Sequence, residues 1–208
     1  MVSKSARHMA EFAVRALMEA NVRGIVLGGW AGLDHTILQD ADLRKYAQDR
    51  VLFVQKAPHE WLFRQVDLTV HHGGSGTTAA ALRAGKPTIV TPVFLDQWDH
   101  AYLVNRLDVG YGFEKKQLQQ ISSLQLATAI TNILHNDTIV HQASRLGDVL
   151  QRENGSYQAA NQMEMFWKDY IQTGRFHQVF PGGANDIGNP GWTVLLGYLV
   201  AFLFIRGS

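Results

Sequence analysis

Apolar residues recur at Met9, Phe12, Ala13, Ala16, Leu17 and Ala20, the spacing of one helix face. Ser3 or Ser5 stands where an N-cap belongs. After Asn21 the pattern changes. Val22-Arg23-Gly24-Ile25-Val26-Leu27 is a short β-type run closed by Gly28-Gly29. Val51 to Val54 is a second such run, Leu68 to His71 a third and Thr88 to Thr91 a fourth. Helical patterns lie between several of them, as at Thr78 to Ala84. Leu124, Ala127, Ile130, Ile133 and Leu134 mark a later helix, with Ser122 and Gln125 spaced as a capping box. Short apolar strands alternating with helices predict an α/β fold, a parallel sheet with helices on both faces.

A further helical pattern runs through Val140, Ala143, Leu146, Val149 and Leu150, and Glu153-Asn154-Gly155 breaks it. Tyr157 to Ile171 reads as another helix. Arg175 to Pro190 is rich in Gly, Pro and Asn and reads as a loop or linker. Trp192 to Ile205 reads as an apolar run, with no charge before Arg206. A spanning helix needs about 20 apolar residues, and this run is shorter. A tilted span, an in-plane anchor and a strip docked on protein all remain open. The expected organisation is one domain over 1–173, followed by a linker and apolar tail over 174–208.

Composition narrows the function. The 208 residues carry a formal net charge of +1, so no bulk charge advertises a nucleic-acid partner. There is no cysteine, which removes disulfides, thiolate catalysis and cysteine zinc sites. The N-terminus lacks the apolar core of a signal peptide. A cytoplasmic protein is expected, with membrane association left to the 192–205 tail.

The chemistry concentrates in His71-His72-Gly73-Gly74-Ser75-Gly76-Thr77-Thr78. A strand, a glycine turn and an alanine-rich helix follow one another. Glycines let backbone approach a ligand. The first helical N–H groups are unpaired, and the helix dipole favours an anion such as a diphosphate. Ser75, Thr77 and Thr78 offer hydroxyls, and His72 offers a ring N–H. The same residues also suit a plain structural turn, so the loop alone leaves both readings open. It is neither a P-loop nor a dinucleotide fingerprint.

The run Ala57-Pro58-His59-Glu60-Trp61-Leu62-Phe63, the glycine loop, Gly85-Lys86-Pro87-Thr88, Pro92 and Asp96-Gln97 appear in order. Together they resemble the signature block of UDP-sugar-dependent glycosyltransferases, in particular the sterol and lipid glucosyltransferase branch and its bacterial antibiotic-glycosylating relatives. A weaker resemblance runs from Gly24 to Gly155, and the tail lies outside it.

The resemblance implies the C-terminal, Rossmann-like half of a GT-B fold. It assigns the donor diphosphate to His72, Gly74, Ser75, Gly76 and Thr77. Asp96 and Gln97 would hold the sugar, and Ala57 and His59 would lie at the nucleoside. It implies no cofactor beyond the UDP-sugar substrate and no metal, although Asp99 and His100 stand close to Asp96. Trp61 is expected to face the core. Trp30 is expected in a loop near a cleft or as a buried tryptophan. Ala80 stands where plant-type relatives carry a ribose-binding glutamate, and the family's frequent tryptophan at the start of the nucleotide motif is replaced near Lys56, which removes that stacking partner for uracil.

The implied activity is transfer of a hexosyl group, by family default glucose, to a hydroxyl of a sterol, lipid or other small lipophilic acceptor. A non-catalytic module keeping the nucleotide-sugar fold is the alternative. The family's general base belongs to an N-terminal domain, which has no counterpart in this sequence, and neither has the domain's first strand. The chain is therefore expected to act with that missing domain. Alone it should bind UDP-sugar weakly or not at all and should not turn over.

Overall fold

The computed structural model describes residues 5–29, 32–116 and 118–179. They belong to two units, 5–152 and 153–179, which part at the Glu153-Asn154-Gly155 break.

The first unit opens with α1 (Ala6–Glu19), and the Ser5 side chain accepts the His8 amide at 3.1 Å. Ser5 is thus the cap. There follow β1 (Gly24–Leu27), α2 (Ala41–Arg50), β2 (Val51–Val54), α3 (His59–Leu62), β3 (Thr69–His71) and α4 (Ser75–Arg83). Then come β4 (Thr88–Val90), α5 (Gln97–Arg106), β5 (Gly110–Gly112), α6 (Ser123–Leu134) and α7 (Asp137–Arg152). Every pairing is parallel. β1 pairs with β2, and β3-β4-β5 form a second sheet in that order.

The four expected strands are present, β2 with the expected bounds and the other three slightly narrower, and the capping box at Ser122 and Gln125 is formed. β5 was not expected. Two of its three residues are glycine, a residue depleted in strands, and its place comes from pairing with the wholly buried β4.

Helices cover both faces. Ile89 of β4 packs with Ala16 of α1, Phe113, Ile121 and the α6 residues Leu126, Ala129, Ile130 and Ile133. Its neighbour Val90 points the other way, to Leu82 of α4, Ala101 and Val104 of α5, and Ala143 of α7. Ile89 and Val90 are both 0% exposed, and each such side chain contributes about 2 kcal/mol of burial. Alternation of side chains along a strand that is buried on both faces explains why β4 is apolar throughout. α1 also closes a separate cluster with Val26, Leu38, Leu43 and Ala47. Arg15 of α1 and Asp40 before α2 meet at 2.9 Å, and Asp40 also accepts the Asp42 and Leu43 amides.

Trp61 corrects an expectation. It is 61% exposed, while Leu62 and Phe63 fill the core. α3 has only four residues, and the core beside it is filled by Leu62, by Phe63 just after the helix and by Ala81 of α4.

In the second unit, α8 (Gly155–Phe166) is capped by Asn154 and runs into a wide π turn at Trp167–Ile171. The expected helix is therefore present with a change of pitch. The segment expected as loop from Arg175 begins instead with α9 (Arg175–Val179). Gly174, at φ +70°, turns the chain into it. Residues 180–190, the apolar 192–205 tail and Trp30 lie outside the described residues. Among the described residues no helix is long and apolar enough to cross a membrane.

Candidate functional site

β3 ends at His71, and α4 starts four residues later with Gly74 as its N-cap. Glycine brings no side chain, and no side-chain cap bonds the first turn of α4. Ser75 and Gly76 are exposed and Thr77 is half-exposed. A helix of nine residues thus presents an uncapped N-terminus beside a strand end, where partial positive charge attracts an anion. His72 is exposed beside it.

Thr78 departs from its expected part. It is buried, and its hydroxyl donates to the Gly74 carbonyl at 3.0 Å. One turn into the helix, that hydroxyl serves the helix itself. Ser75 and Thr77 remain as the hydroxyl donors.

The loop is anchored from beneath by His71. The Gly73 amide donates to His71 Nδ1 at 3.0 Å. With Nδ1 accepting, the ring hydrogen of the neutral imidazole sits on Nε2. That hydrogen points at Thr88 Oγ1, 2.9 Å away, which also receives the Thr69 hydroxyl at 2.8 Å. Burial pushes the His71 pKa down from 6.5 to about 3, helped by the positive charges of His72, His100 and His59. His71 is therefore neutral near neutral pH, as its hydrogen bonds require.

Gly73 has φ +91°, a conformation that favours glycine. A Cβ there would stand 2.6 Å from Val90 Cγ1 and 3.2 Å from the Gln97 carbonyl oxygen. The loop therefore packs on the start of α5. His100 of α5 reinforces the contact: its Nδ1 lies 2.6 Å from the Gly73 carbonyl oxygen. A carbonyl only accepts, so this nitrogen carries hydrogen.

The two expected sugar residues differ in their surroundings. Asp96 precedes α5, is exposed, and makes no side-chain cap bond. Gln97 is 4% exposed, and its Oε1 accepts the Val93 amide at 2.8 Å and the Phe94 amide at 3.1 Å. Its Nε2 is left as the polar atom for other work. Between them and β4 sits Leu95, at φ +55°, a strained conformation of the kind that clusters at functional turns.

The nucleoside candidates divide similarly. His59 is exposed and stacks on Phe63 with ring centroids 4.9 Å apart. The Ala57 side chain packs against the cluster of Leu62, Phe63 and Ala81 and is partly buried there. Ala80 lies against the same cluster.

Segments far apart in sequence thus converge: His59, the glycine loop and the start of α5 surround His71. Residue type and spacing alone do not mark His71 or His100 as anchors of the loop. The spacing Gln97 to His100 places His100 one turn along the same helix, but its partner is a backbone carbonyl, which leaves no trace in a sequence. Among the described residues no group of three or more His, Asp or Glu side chains is placed to hold a metal. A cavity of about 410 Å³ is lined by Ser5, Ala6, Arg7, Thr36, Ile37 and Gln39, none of them in the loop.

Comparison with known proteins identifies the family and the fold. Residues 25–160 match the family model described as Erythromycin biosynthesis protein CIII-like, C-terminal domain. A sterol 3-beta-glucosyltransferase of Komagataella phaffii is 35% identical over 155 residues, 74% of this chain and 12% of that protein. Another, from Yarrowia lipolytica, is 39% identical over 143 residues, 68% of this chain and 9% of that protein. The chain thus spans about a tenth of the length of these curated relatives. Os79 of O. sativa, solved in complex with UDP, superposes with a TM-score of 0.61 at 17% identity, covering 73% of this chain and 34% of that one. That likeness is one of fold, the fold of GT-B UDP-glycosyltransferases.

Proposed function

We propose, because this chain belongs to the Erythromycin biosynthesis protein CIII-like C-terminal domain family, that it supplies the donor-binding half of a UDP-sugar glycosyltransferase. One observation carries the proposal: an uncapped helix N-terminus, Ser75 to Thr77, faces solvent beside His72, with His59 near His71 and the start of α5, which Asp96 precedes, packed on Gly73. The N-terminal amides, the two hydroxyls and His72 would hold the diphosphate. Asp96 would accept from sugar hydroxyls, with Gln97 Nε2 beside it. His59 and the Ala57 backbone would meet the nucleoside. The names of the relatives favour glucose as the sugar and a sterol hydroxyl as the acceptor.

The reaction in this reading is a displacement at the anomeric carbon. The acceptor oxygen bonds to that carbon as its proton passes to a base. The bond from carbon to the β-phosphate oxygen breaks, and UDP leaves with the electron pair. Inversion follows from attack opposite the leaving group. This chain's residues would stabilise the charge that grows on the departing diphosphate. The base and the acceptor pocket would come from a companion domain, so the chain alone should not turn over.

Calorimetric titration with UDP, UDP-glucose and UMP tests the proposal. UDP should bind weakly but saturably, and about tenfold more tightly than UMP, because only UDP places a second phosphate at the helix N-terminus. Equal affinities for UDP and UMP would contradict it.

A further inference from the structure

We propose that His100 is a positioning residue that ties the diphosphate loop to the sugar-recognising start of α5, working with His71 from the other side of the Gly73 peptide. The inference rests on the donor-site reading above. Gly73 is held at both ends: its N–H by His71 Nδ1 at 3.0 Å and its carbonyl by His100 Nδ1 at 2.6 Å. Such anchors matter most at a glycine, which by itself ranges over many conformations. Here the residue is held at φ +91°.

The two anchors come from different elements. His71 ends β3 and is itself fixed to the sheet through Thr88. His100 belongs to α5, and its own amide donates to the Asp96 carbonyl at 3.2 Å. One side chain therefore links Asp96, through one helical turn, to the residue just before the N-cap of α4. The distance between the carboxylate that would read the sugar and the amides that would hold the diphosphate is set by this link. Preorganised geometry of that kind lowers the cost of ordering a loop around a ligand.

The test uses three substitutions in the full chain. His100→Asn places an amide N–H where Nδ1 stood. His100→Gln offers its N–H one bond further out, and His100→Ala removes the donor. Amide hydrogen exchange at Gly73 and Gly74 is read without ligand, and UDP affinity is read by titration. Exchange in His100→Asn should stay within about twofold of wild type, whereas His100→Ala and His100→Gln should speed it about tenfold, the effect of one lost hydrogen bond. UDP affinity should follow the same order. Unchanged exchange in His100→Ala, or rescue by Gln equal to that by Asn, would overturn the proposal. If His100→Ala fails to fold, the Asn and Gln pair decides. Wild-type protein that ignores UDP would count against the donor site alone, and the exchange measurements would still decide the role of His100.

Discussion

The His72 ring lies against Gly74, so that a methyl group on Gly74 would stand 2.5 Å from His72 Nε2. The absence of a side chain at the N-cap is what lets the ring occupy that position. Gly74→Ala should displace the ring. Because an exposed side chain can move away, stability should fall by only about 1 kcal/mol, mostly from the poorer N-cap. UDP affinity should fall more, by about tenfold. Urea unfolding and calorimetry on one sample separate the two effects.

The other loop glycines make opposite predictions. Gly73→Ala forces a Cβ onto Val90 in the core and onto the backbone at Gln97, at a φ that alanine resists. It should cost about 2–4 kcal/mol in urea unfolding. At Gly76 an added Cβ meets nothing within 4 Å. Gly76→Ala should therefore stabilise α4 by about 0.5–1 kcal/mol, yet weaken UDP binding, since the space it fills is where a phosphate would approach. Gain in stability with no loss of UDP affinity would mark the loop as a structural turn.

His71 makes stability depend on pH. Its pKa falls from 6.5 to about 3 on folding, so the unfolded chain binds the extra proton first. The contribution is fully present above pH 6.5 and is lost as pH falls toward 3, about 2 kcal/mol of it by pH 5. His71→Asn keeps an acceptor for the Gly73 amide but has no such titration. Its unfolding free energy should be lower than wild type at pH 7 and decline less between pH 6.5 and 5. Parallel declines, measured by urea unfolding across that range, would refute the assignment.

The capping box serves as a control. Ser122→Ala removes the bond to the Gln125 amide and should cost about 1 kcal/mol, with UDP affinity unchanged.

The sequence revealed most where a single segment carries the physics. The helix over α1, the four apolar strands and the box at Ser122 each follow from local periodicity or spacing. So does the anion-favouring end of α4, which needs only a strand, glycines and a helix in order. What escaped depends on which partner a group takes once the chain is folded: a neighbouring strand, a core already filled or a backbone group. β5 is a strand because β4 lies beside it, and Trp61 is exposed because Leu62 and Phe63 took the core. Gln97 looked like a ligand residue by position, but its Oε1 is committed to the Val93 and Phe94 amides, a backbone relationship that no residue type announces. The same holds for Thr78, turned back to Gly74.

The central claim is that the amides opening α4 receive a diphosphate. Backbone amide shifts of the labelled chain, followed while UDP and then uridine are added, test it most directly. The account predicts that UDP moves the amides of Ser75, Gly76 and Thr77 in a saturable way, that uridine leaves them in place, and that His72→Ala weakens the effect. Saturation by UDP with those three amides unmoved, or equal shifts from uridine, would contradict it.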